Sequence, residues 1–163
     1  MSPNDFEVRN MKYVVLLLLF IAFPAFAGGK PETLVEGGYS ETEMANAIAR
    51  AKSEVDVFIA TLERGNGSDF AIKMPVEDGD KSEHFWIVEV SYSDGVFEGI
   101  IGNEPGIVSN VSFGQTVRVR KEDITDWMFM RDGKIHGNYT MRPLLATMSR
   151  EEADFYRSML AEP

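Results

Sequence analysis

Cysteine is absent from all 163 residues. That excludes disulfides, a thiol nucleophile, and the lipid anchor that requires a cysteine at its cleavage site. Histidine is scarce: His84 and His136 are the only two, 52 positions apart, and no zinc-ligand spacing exists. Basic residues are outnumbered, with 16 Lys and Arg against 26 Asp and Glu, a net charge of −10. Such a balance disfavours nucleic acid and anionic membrane surfaces, favours solubility and would welcome a cationic partner. No apolar run is long enough to span a bilayer comfortably, which takes about 20 residues. The longest runs from Tyr13 to Phe23, after Lys12 and before Pro24 and Ala25-Phe26-Ala27. A positive start, a short apolar stretch and a small-x-small site are the order of a cleavable signal peptide. Residues 1–27 are therefore expected to be removed, with cleavage after Ala27 and no membrane span left afterwards. Residues 1–10 are polar, with Asp5 and Glu7 among them, and fit a leader poorly, so translation is expected to begin at Met11. Asp5, Glu7, Arg9 and Lys12 cancel, so the exported chain keeps a charge of −10.

What remains has the length of one domain. Residues 28–40 read as a glycine- and proline-containing linker, and residues 41–163 as the domain. Ser40-x-x-Glu43 is a capping box, in which the serine accepts the N3 amide and the glutamate reaches back. Met44, Ala47, Ile48, Ala51, Val55, Phe58, Ile59 and Leu62 then recur every three or four positions, one stripe of one long helix. Arg64-Gly65-Asn66-Gly67 stops it. From Phe70 the period becomes two. Strands are predicted over 70–76, 84–92, 96–101, 115–121, 126–131 and 134–138. Pro75 suggests a strand edge or end. Asp94-Gly95 and Asp132-Gly133 are type I′ hairpin turns. The first sets Tyr92 opposite Phe97, Val90 opposite Gly99 and Val88 opposite Ile101, on one face with Trp86. The second pairs Met130 with Ile135 and Phe129 with His136. Thr140 caps a short helix carrying Met141, Leu144, Leu145 and Met148, and Ser149-x-x-Glu152 opens a last one with Phe155, Met159 and Leu160. The architecture is α+β: one long N-terminal helix, a curved antiparallel sheet of about six short strands, open or partly closed into a barrel, and two short C-terminal helices.

Chemistry has few carriers. His84, with Glu83 or Asp126, is the candidate general base of a small hydrolase, and Ser82, His84 and Asp126 write out a triad. A hydrogen-bonded structural histidine is the favoured reading of His84, and His136 is expected at the surface. No nucleophile elbow and no Ser-x-x-Lys occurs. Glu77, Asp78, Asp80 and Glu83 crowd around Gly79 without EF-hand spacing, which reads as a solvated turn. No metal site and no cofactor is expected. If Met128 and Met130 face the core, Trp127 and Phe129 face the other side of the sheet, where the long helix or a partner must cover them. Left open, Trp127, Phe129, Tyr139 and Arg142 would make a binding site of hot-spot composition. Arg142 could instead pair with Asp126.

Three stretches, Glu77-Asp78-Gly79-Asp80 with Glu83-His84-Phe85-Trp86, then Asp123-Ile124-Thr125-Asp126-Trp127-Met128, then Gly137-Asn138-Tyr139-Thr140-Met141-Arg142, resemble in order and spacing the YegJ-like bacterial family of unknown function. The resemblance covers residues 70–148 and implies a small globular bacterial domain, with no catalytic or binding residue assigned. The expected function is that of an exported, non-enzymatic binding or interaction protein of the envelope, with an envelope or secreted protein as partner. The alternatives are the hydrolase above and a structural or stress-related envelope protein.

Overall fold

Ser40 caps the first helix in the computed structural model, which describes residues 38–162; its Oγ accepts the Glu43 amide at 3.2 Å. The expected signal segment and most of the expected linker lie outside the described residues. The stripe from Met44 to Leu62 is carried by two helices rather than one: α1, Glu41–Ser53, and α2, Val55–Glu63. They part at Glu54, with neither glycine nor proline present. Ser53 Oγ donates to the Arg50 carbonyl at 2.8 Å, a local bond that competes with the helical ladder. The stripe survives the break, since Ala51, Val55, Phe58 and Ile59 are all buried.

Six strands follow: β1, Ser68–Asp78; β2, Lys81–Ser93; β3, Val96–Ile101; β4, Thr116–Arg120; β5, Asp126–Arg131; and β6, Lys134–Gly137. They form one antiparallel sheet in the order β4-β3-β2-β1-β5-β6. The sheet is open, so the barrel alternative falls away. Pro75 sits in β1, a strand between β2 and β5, where a proline paired on both sides would lose a ladder hydrogen bond. Pairing with β5, however, stops at Lys73 opposite Asp126, so β1 runs on past its neighbour and is an edge where the proline lacks its N–H.

Both Asp-Gly turns have two successive positive φ values, 50° and 83° at Asp94-Gly95, and 52° and 71° at Asp132-Gly133. The second hairpin has the predicted register, Met130 opposite Ile135 and Phe129 opposite His136. The first holds Tyr92 opposite Phe97, but a bulge between Val88 and Ser91 shifts the rest: Val88 faces Ile100, and Ile87 faces Ile101. Glu89 takes φ 53° within it. An extra residue reverses the alternation. Trp86 and Val88 therefore point to one face, while Phe85, Ile87, Val90 and Tyr92 point to the other, which corrects the single face expected for Trp86, Val88, Val90 and Tyr92.

The sheet buries both faces. On one, α1 and α2 close over Phe58, Ile72, Phe85, Ile87, Phe97, Trp127 and Phe129. Phe58 is the hub, with ring centroids 5.6 Å from Trp127, 5.8 Å from Phe70 and 5.9 Å from Phe97. Each such ring contributes roughly 1.5–3 kcal/mol on burial. On the other face, Ala71, Trp86, Met128 and Ile135 lie under α3, Met141–Leu144, a 3₁₀ turn over Leu145–Thr147, and α4, Arg150–Met159. The Ser149/Glu152 capping box of α4 is complete. Its inward residues are Ala153 and Tyr156, while Phe155 faces out. Leu160 bridges the β6 edge at Ile135 in parallel.

Candidate functional site

Asp126, the carboxylate of the written triad, is fully buried at the start of β5. Gly137 and Asn138, with φ 76° and 49°, fold the chain so that the next two amides aim at it. Oδ1 accepts from the amides of Trp127 at 2.9 Å and Tyr139 at 3.1 Å; Oδ2 accepts from the Thr140 amide at 2.8 Å and its hydroxyl at 2.5 Å. The same hydroxyl receives Lys73 Nζ at 2.9 Å, and that buried ammonium lies 4.5 Å from the Trp86 ring. Burial pushes the Asp126 pKa up, against Lys73 and the hydrogen bonds from Thr140 and Trp127, which favour the ionised form. The carboxylate thus locks β1, β5 and the start of α3 together.

The other two members of the triad, Ser82 and His84, lie on β2. Ser82 Oγ donates to Glu77 Oε1 at 2.6 Å. His84 is exposed by area on β2, although protein atoms crowd its ring; that crowding, and then Lys73, lowers its pKa. Glu83 points to the opposite face from His84 and is 2% exposed. Its carboxylate accepts the amides of Gly106, Ile107 and Val108 at 2.9–3.2 Å. Asp78 accepts from the amide and hydroxyl of Ser109, and the Asn110 side chain donates to the Glu77 carbonyl. The acidic turn is therefore not simply solvated: it fastens the β3–β4 loop to the end of the β1–β2 hairpin. Among the described residues, no three His, Asp or Glu are grouped to hold a metal ion.

Trp127, Phe129 and Tyr139 are 2%, 2% and 6% exposed, so the N-terminal helices, rather than a partner, cover them. Trp127 Nε1 donates to the Ala51 carbonyl at 2.9 Å, in the last turn of α1, where backbone acceptors lack helical partners. The Tyr139 hydroxyl donates to Glu54 at the helix break, and Arg50 Nε donates to the same carboxylate at 2.9 Å. Burial, then this bond, pushes the Tyr139 pKa up to about 12; the same bond, foremost, lowers that of Glu54. Arg142 is half-buried and donates to the Ala161 carbonyl at 2.9 Å, not to Asp126. His136 stacks on Phe129 at 5.0 Å. Of the four residues that would have made an open site, Trp127, Phe129 and Tyr139 are covered by the N-terminal helices, and Arg142 is half-buried.

An open groove lies instead along the outer side of α2. It encloses about 490 Å³ and is lined by Asp56, Val57, Ala60, Thr61, Arg64, Asn66 and Arg131. The α2–β1 turn approaches the end of β5 here, since the space for a Cβ at Gly67 is taken by the Met130 carbonyl and the Phe129 ring, each 3.0 Å away. Val57 is 57% exposed. Motif reasoning missed this surface. One signal was present: Val57 is an apolar residue off the stripe of Val55, Phe58 and Ile59, so its side chain had to leave the core side of the helix. Among the described residues, no helix is long and apolar enough to cross a membrane.

Comparison with known proteins agrees with the motif resemblance and assigns no activity. The chain is 46% identical over 148 residues to the uncharacterized protein YegJ of Escherichia coli K12, covering 90% of this chain and 97% of that one. It is 41% identical over 90 residues to a putative ankyrin repeat protein of Neisseria meningitidis serogroup B, covering 52% of this chain but 35% of that longer protein. No solved structure matches. Residues 41–161 match the family described as uncharacterized proteins conserved in bacteria (DUF2314), and with that span of agreement the chain belongs to this YegJ-like family.

Proposed function

We propose that this protein is an exported, non-catalytic binding protein of the bacterial envelope, which engages a protein partner through the α2 groove. One observation carries the reading: Val57, the most open large apolar side chain among the described residues, lines an apolar groove. An open apolar surface next to charged groups is the composition of an interaction site. The groups with catalytic potential support the same reading, because Glu83, Asp126 and Ser82 are engaged in hydrogen bonds that hold loops and strands. The leader-like order of residues 11–27 supports export.

Photo-crosslinking in intact cells tests it. A photoreactive phenylalanine at position 57 is compared with the same residue at position 155, an exposed apolar site on α4. The expected outcome is a protein adduct from position 57, recovered in the envelope fraction, and none from position 155. No adduct at position 57, or adducts confined to the cytoplasm, would overturn the reading.

A further inference from the structure

We infer that the α2 groove takes an acidic, apolar peptide segment: a large apolar side chain seated against Val57 and Ala60, and a neighbouring carboxylate held by Arg64 and Arg131. This deepens the binding reading above and rests on it. The chain stands at −10, and several of its cations are committed to carboxylates at home. Arg50 pairs with Glu54, Arg120 with Asp123, Lys121 with Asp56 and Arg157 with Asp154. Arg64 and Arg131 differ: among the described residues, neither pairs with a carboxylate, and both line the groove. Asp56, the only acid lining it, is answered by Lys121 at 2.5 Å. The groove is therefore locally positive on a strongly negative protein.

Geometry adds to charge. The Arg131 guanidinium lies 5.3 Å from the Phe129 ring centroid, a cation–π contact that orients the fork without neutralising it. Arg64 follows the last residue of α2, exposed, on the same groove. A guanidinium offers paired N–H donors that match a carboxylate, and two of them beside an apolar floor match a segment with an acid next to a large apolar residue. A basic segment would meet two like charges. A purely apolar one would bury both guanidinium groups without partners, at a cost in desolvation. Asn66 also lines the groove, and its side-chain amide is a group that can both donate to and accept from a peptide backbone.

The test is selection of random twelve-residue peptides displayed on phage against the purified full chain, followed by affinity measurements with the enriched peptides. The expected consensus holds Asp or Glu beside a large apolar residue. Replacing that acid by its amide is expected to weaken binding by about tenfold, as is Arg64→Glu, a change at an exposed position that should leave the unfolding curve unchanged. Arg64→Glu with Arg131→Glu should then recover binding to a peptide carrying Lys for the acid. Should the double variant fail to fold, Arg64→Glu alone decides. An acid-free or basic consensus, binding indifferent to Arg64→Glu, or no enrichment at all would overturn the proposal. Any of these results with crosslinking from position 57 intact removes the peptide chemistry alone; the loss of crosslinking as well removes the binding reading.

Discussion

Gly133 and Gly137 share a positive φ, 71° and 76°, and differ in what surrounds them. Gly133 completes the β5–β6 turn with open space where a Cβ would stand. At Gly137 that Cβ would fall 2.3 Å from the Trp127 carbonyl and 2.5 Å from its ring. The backbone cost of alanine in this conformation, about 1 kcal/mol, applies to both. Only Gly137→Ala adds overpacking, a further 1–3 kcal/mol or so. Gly137→Ala is thus expected to be the more destabilising by at least about 1 kcal/mol in urea unfolding. Equal losses would mean that β6 shifts freely away from Trp127. The consequence reaches Asp126, because Gly137 and Asn138 aim the Tyr139 and Thr140 amides at its carboxylate. The same residue scale separates His84 from Asp126. The sequence offers them as a pair, yet Asp126 is held by hydrogen bonds from Trp127, Tyr139 and Thr140.

Elements show where local pattern ceases to suffice. The alternation of β1–β6, the two Asp-Gly turns, and the Ser40 and Ser149 caps are local, and a period or a turn dipeptide announces them. The bulge at Glu89 is not local: its counterpart is Gly99 on β3, where a Cβ would meet the Val88 carbonyl at 2.6 Å. The break at Glu54 has a local part in the Ser53 bond and is held from afar as well, by Tyr139 on the segment after β6 and Trp127 on β5. The groove was illegible for a related reason, since Arg131 joins α2 only through the fold. The Tyr139–Glu54 bond gives the break a pH signature. In the unfolded chain the phenol loses its proton near pH 10, and in the folded one near 12. Below pH 10 both states hold the proton, and the bond contributes in full. Between those values only the unfolded chain ionises, so the contribution is lost as pH rises. Tyr139→Phe should therefore be less stable at pH 8, by about 2 kcal/mol for a bond to a charged acceptor. The gap to the parent protein should narrow from pH 10 upward in urea unfolding. A constant gap would show that Tyr139 contributes by packing alone.

On the scale of the whole molecule, a sheet covered on both faces supplies two cores in a chain without disulfides, and stability rests on packing and buried hydrogen bonds. Such a domain needs no oxidising compartment to fold. Among the described residues the first helix begins at Glu41, thirteen positions after Gly28. The expected product of export begins at Gly28, because Ala25 and Ala27 are the small residues a signal peptidase site requires, and Pro24 ends the apolar run before them. Edman sequencing or intact-mass measurement of protein from the envelope fraction checks this. A mature form that still carries Leu16, Leu17, Leu18 and Leu19 would make the segment an anchor, and the groove on α2 would then have to meet its partner at the membrane surface, with the −10 charge of the chain opposing approach to anionic lipid.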